Sequence, residues 1–209
     1  MRPIRFLLVA VLLSLSSLAL AQVEHKMDAP KSVAPKSEAQ VSFDTLKTLA
    51  GDWEGSVKTD FPGIDPMANI PMHLTMRVTS RGNVIVHEFQ VANTPLDAAK
   101  YDHPVTMMYV DNDQLNLIHY CDAGNRPRMT AKLSPDGKKV EFTFVDISGS
   151  NKFGHMHHSI FTFVDADHHI EDWTFNIKTK DGSEKPIQAH FDLHRVAASA
   201  SAGTTGGGK

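Results

Sequence analysis

Cysteine is almost absent from this 209-residue chain: Cys121 stands alone. No internal disulfide can brace the fold, so a packed apolar core must hold it. Basic charge is not in excess either, with 21 Lys and Arg against 24 Asp and Glu and a net charge of −3. That balance argues against a partner of nucleic acid, which needs a basic stripe along its phosphates. After Ala21 no apolar run approaches the length of a membrane span, so stable membrane insertion is not expected. Missing too are a nucleophile elbow, a His-Glu-x-x-His pair and a phosphate loop. Asp111-x-Asp113 stops short of a calcium loop, because Leu115 stands where an oxygen ligand is needed. With 41% hydrophobic and 22% charged residues the chain is neither collagen-like nor coiled-coil nor wholly disordered.

What is present begins with an address. Met1 to Arg5 is a short positive start, Phe6 to Leu13 an unbroken apolar run, and Ala19-Leu20-Ala21 a small-x-small cleavage pattern. Residues 1–21 therefore read as a signal peptide, and the expected location is periplasmic or extracellular. No cysteine follows the cut, which argues against a lipid anchor. Residues 22–41 repeat Ala-Pro-Lys-Ser-like pieces and read as a flexible linker, and 197–209 as a low-complexity, disordered tail. Between them, 42–196 is one domain.

That domain opens with a short helix, for which Ser42 is the expected cap and Phe43, Leu46, Leu49 and Ala50 the buried face. Everything after it reads as strand: 52–59, 70–79, 83–91, 104–110, 114–121, 126–133, 138–146, 156–165, 168–178 and 187–196. Period-two alternation is clearest from Val140 to Val145 and from Trp173 to Ile177, and Gly, Asn, Asp and Pro punctuate the gaps. Strands joined by tight hairpins with no helices between them make an antiparallel meander. The fold class expected is thus all-β, an antiparallel up-and-down barrel of about ten strands with one N-terminal helix, closed so that no edge is left open. A two-sheet sandwich is the alternative.

The string Leu46-Lys-Thr-Leu-Ala-Gly-Asp-Trp-Glu-Gly55 resembles the first-strand signature of lipocalin-like (calycin) barrels. There a short helix leads into Gly-x-Trp, matched by Gly51 and Trp53, and the Trp plugs one barrel end. The segments Met107–Met129, Gly154–Phe163 and Glu171–Phe175 are similar to an exported bacterial family of unknown function. The Gly51, Trp53, Gly55 start is also similar to nitrobindin-type haem barrels, in which a histidine near the C-terminus holds the iron. His190 is the nearest match, but it falls on a final strand without a ligand loop, so haem is not expected.

Several side chains are candidates for chemistry. Alternation from Leu115 and Leu117 turns His119 and Cys121 to the same inward face, where they can anchor a ligand, bind a metal or form a thiolate–imidazolium pair. Arg126 and Arg128 share one side and suit a carboxylate at a barrel mouth, or pair with Glu88, Glu141 or Glu171. Glu171 shares a face with Trp173 and Phe175, so it needs an arginine or histidine partner. The expected function is the binding of a small apolar or amphipathic molecule inside the barrel, with His119, Cys121, Arg128, His158, Glu171 and Trp173 as ligand contacts. The alternative is a zinc or copper site at His155, His157 and His158, with His155 and His157 on one strand face and His158 on the other. An enzyme using His119 as base beside Cys121 ranks below both. Whether the barrel is hollow stays open at this level.

Overall fold

The computed structural model describes residues 35–197. The expected signal peptide at 1–21, most of the expected linker and nearly all of the expected tail lie outside the described residues.

Among the described residues one α-helix, α1 (Glu38–Lys47), precedes ten strands: β1 (Gly51–Thr59), β2 (Ile70–Thr79), β3 (Val84–Val91), β4 (Val105–Asp111), β5 (Gln114–Tyr120), β6 (Arg126–Leu133), β7 (Lys139–Ser148), β8 (Gly154–Phe163), β9 (His168–Lys178) and β10 (Glu184–Arg195). Each strand pairs antiparallel with its neighbours in sequence, and β10 pairs with β1 to close the barrel. The sandwich alternative is thereby set aside. Alternation does the sorting: in β7, Val140 and Phe142 are buried inside while Lys139, Glu141 and Thr143 face outward.

The helix starts about a turn earlier than the sequence pattern suggests. Ser37, not Ser42, is the N-cap; its Oγ accepts from the backbone N–H of Gln40 at 3.2 Å. Ser42 instead lies buried within the helix and donates to the Glu38 carbonyl at 2.8 Å, a back-bond open to any helical serine. Phe43 and Leu46 bury the inner face of α1 against β4, β5 and β6.

Antiparallel closure sorts the connections onto two ends. The segments 80–83, 112–113, 134–138 and 164–167 share one end with α1, and 60–69, 92–104, 121–125, 149–153 and 179–183 share the other. At the α1 end Asn112 and Asp113 both take positive φ (49° and 59°), as a two-residue hairpin requires. This end is sealed by Trp53, which is fully buried and donates from Nε1 to the Leu49 carbonyl at 2.8 Å. The Arg195 guanidinium lies 4.1 Å from the Trp53 ring centre and donates to the carbonyls of Ala50 and Thr48. The glycines on either side of Trp53 are required, Gly51 by its positive φ and Gly55 by the close approach of the β10 backbone. A Cβ on Gly51, at φ 139°, would meet Arg195 Nη1 at 2.7 Å, and one on Gly55 would sit 1.9 Å from the Asp192 carbonyl oxygen. Above Trp53 the interior is filled by Leu74, Met76, Ile85, Met108, Leu117 and Phe142, each buried to within 1% of completely. Each such side chain contributes roughly 1.5–3 kcal/mol.

Candidate ligand-binding site

Next to Trp53 the apolar packing gives way to a polar layer that begins with His169, edge-on to the Trp53 ring with centres 4.2 Å apart. Glu171 on β9 is completely buried, and a carboxylate sealed from water must collect donors or be lost to the fold. It has three. His169 Nε2 donates to Oε1 at 3.0 Å, Trp173 Nε1 to Oε2 at 2.9 Å, and His87 Nε2 lies 3.0 and 3.1 Å from the two oxygens. An ionised carboxylate only accepts, so both imidazoles present N–H from Nε2. Burial alone pushes this carboxyl up; the adjacent His87 and the hydrogen bonds from His169 and His87 more than reverse it and hold the group well below the usual carboxylate range.

His119 on β5 sits beside this layer, its ring centre 5.6 Å from that of Trp173. Its Nδ1 is 2.8 Å from Thr106 Oγ1, and its Nε2 is buried with no hydrogen-bond partner among the described residues. Burial first, and repulsion from His87 second, push its pKa down to about 3, so the ring is neutral at physiological pH. A neutral imidazole with one nitrogen engaged keeps the other for a partner, as donor or acceptor according to tautomer.

Beyond that layer the barrel is hollow. A cavity of about 600 Å³ lies between His119 and Trp173 at its floor and the exposed rings of Phe61 and Phe153 at its rim. Its wall is largely apolar, with Phe89, Met156, Phe175, Ile177, Ala189 and Phe191. Cys121, Asp102 and Asp122 add a polar edge where the 92–104 and 121–125 segments meet. The Cys121 thiol is pushed up to about 11, chiefly by burial, and Asp102 is raised by burial and by its neighbour Asp122. A thiol held protonated and an imidazole held neutral do not form a nucleophilic ion pair.

Of the expected ligand contacts, His119, Cys121 and Trp173 line this cavity, and Glu171 lies beneath it as the acceptor that orients Trp173. Two others are corrected. Arg128 faces solvent and pairs with Asp146, its register partner on β7, while Arg126 donates to Ser148 Oγ. Neither arginine reaches the mouth, because their side of β6 is the outer one and Met129 takes the inner. His158 is also outside, 2.8 Å from Glu141 Oε1.

The metal cluster expected at His155, His157 and His158 does not converge. A bulge between Met156 and His158 inserts His157 into β8, so that the buried side chains are His155 and Met156 before it and Ser159 and Phe161 after it. His155 Nε2 and His157 Nδ1 do meet at 3.2 Å, packed on Phe144, but Asn151 occupies the other nitrogen of His155 and His158 is spoken for by Glu141. His190 lies outside the cavity, 2.6 Å from Asp172.

His87 was not among the candidates drawn from the sequence. Its signal was the spacing Ile85, His87, Phe89, which puts an imidazole in the inward row of β3. Met156 was hidden by the bulge, and Phe61 and Phe153 by their place on loops.

Among solved structures, the chain is similar to Rv2717c from M. tuberculosis, with a TM-score of 0.50 over 75% of this chain and 98% of that one at 14% identity. At such identity the likeness shows the fold alone. A protein of unknown function from the DUF3598 family of Nostoc punctiforme is more distant, at TM-score 0.37 and 10% identity over 72% of this chain and 48% of that one. No protein-family profile and no curated protein matches the sequence.

Proposed function

We propose that this protein binds one small amphipathic molecule in the open half of its barrel. The observation that carries the reading is the cavity itself: about 600 Å³, walled by aromatic and aliphatic side chains, with the unpartnered Nε2 of His119 at its floor. Its volume lies within the span that small-molecule sites occupy, and its few convergent polar groups suit orientation of a ligand more than chemistry upon it. The apolar body of the ligand packs on Phe89, Met156 and Phe191, and one hydrogen-bonding group reaches His119. The signal-like segment at 1–21 adds that this binding takes place outside the cytoplasm.

Native mass spectrometry of the purified protein, with a denatured control, tests the reading. The expected result is a small-molecule mass that is lost on unfolding, or retained after incubation with a panel of apolar amphiphiles and refused by Met156→Trp. A bare polypeptide mass after every incubation contradicts it.

A further inference from the structure

The outer wall of the barrel carries a second cluster that interior binding does not use. β9 and β10 pair so that His168 stands directly opposite His194, and Asp192 precedes His194 by two residues on the same outward face. The two imidazoles stack with ring centres 4.3 Å apart and planes 18° apart. Both bring a nitrogen close to one atom, Asp192 Oδ1: His168 Nε2 in a hydrogen bond at 2.8 Å and His194 Nε2 at 3.5 Å. The three donor atoms all lie within 4.8 Å of one another.

A simple ion pair accounts for His168 and Asp192. It does not account for His194, whose side chain is 64% exposed and yet turns to the same carboxylate oxygen. One dication coordinated by both rings would use both nitrogens and neutralise Asp192 as well. The register adds favourable surroundings: Glu54 on β1 is the partner of His194, and His73 on β2 is the partner of Glu54. Ladder hydrogen bonds fix the backbones of all three ligands, so only side chains remain to be ordered on binding.

We propose that His168, Asp192 and His194 bind one divalent transition ion of the zinc class. Two imidazole nitrogens and one carboxylate oxygen are borderline ligands, suited to zinc over magnesium or calcium, and leave coordination positions for water. The only other three-ligand grouping among the described residues, Asp102, Cys121 and Asp122, depends on a thiol held up at about 11 and is the poorer site. His155 and His157 offer two nitrogens without a third ligand.

The test is titration of the full-length, chelator-stripped protein with zinc alone, followed by calorimetry and by NMR of the histidine ring nitrogens. One zinc is expected to bind at this site, with the Nε2 signals of His168 and His194 shifting together. His194→Ala, His168→Ala and Asp192→Asn should each weaken that binding by at least about tenfold. His194→Ala is the decisive variant, because its side chain is exposed and its loss leaves the His168–Asp192 bond in place. The paired variant His155→Ala/His157→Ala should leave this site intact. Zinc binding that survives His194→Ala unchanged, binding that follows His155 and His157 instead, or no uptake at all overturns the proposal.

Discussion

The two ends of this barrel are built to opposite rules. At the α1 end the connections are short, Trp53 and Arg195 seal the opening, and the interior is packed with side chains that exclude water. At the other end the loops at 60–69 and 92–104 are long and the interior holds a cavity of about 600 Å³. Met67, Leu96 and Phe153 are there 78%, 84% and 61% exposed. The buried layer of His87, His169, Glu171 and Trp173 lies between. A barrel of this strand number need not fill itself, and here one half supplies stability while the other is left for a ligand. The polar layer is the floor of one half and the ceiling of the other.

The contrast can be broken hardest at that layer. Glu171→Leu leaves the donors of His87, His169 and Trp173 without an acceptor, and should cost about 3–5 kcal/mol in denaturant unfolding. A cost near zero would mean that the layer is not a structural divide. Phe142→Ala in the packed half should cost about 3–5 kcal/mol, against less than about 1 kcal/mol for Phe153→Ala at the rim. Equal costs at the two sites would erase the distinction between the ends.

A pH series sharpens it further. Burial keeps folded His119 neutral down to about 3, whereas an ordinary histidine takes its proton near 6.5. Between those values the unfolded chain binds more protons. Stability is therefore whole above 6.5 and falls as the pH drops toward 3, by an amount on the order of 2–5 kcal/mol. His119→Gln should flatten that part of the profile, measured by thermal melting across the window; an unchanged slope would remove His119 from the account. A change in stability as small as that of Phe153→Ala, below about 1 kcal/mol, is expected of Met156→Trp, which fills space that is already open. That same variant should abolish uptake of an apolar fluorescent probe, and retained uptake would place the ligand elsewhere.

Much of the fold was legible because the barrel writes itself in period two. All ten strands could be read from alternation and turn residues, and the run from Leu115 to Cys121 correctly faced His119 and Cys121 inward. The helix cap was displaced because Ser37 and Ser42 offer the same hydroxyl, and only tertiary packing chooses between them. The site was harder. A bulge at His157 inverts the pattern of β8 midway, and no composition signal marks a bulge in a run of histidines. Arg128 was read as a mouth residue since its spacing from Arg126 tells that they share a side, not which side. His87 escaped because a histidine between valine and glutamate does not announce a partner on β9, 84 residues away.

The central claim is that one end of the barrel takes a ligand and the other does not, and methionine methyl groups report on both. Met156 lines the cavity, while Met76, Met108 and Met129 are buried in the packed half. The most direct measurement is an NMR titration of methyl-labelled methionine in the intact protein with a medium-chain fatty acid such as laurate. The expected result is a saturable shift of Met156 with the three packed methyls still. A titration that leaves Met156 unmoved, or moves only the surface methyl of Met67, would contradict the account.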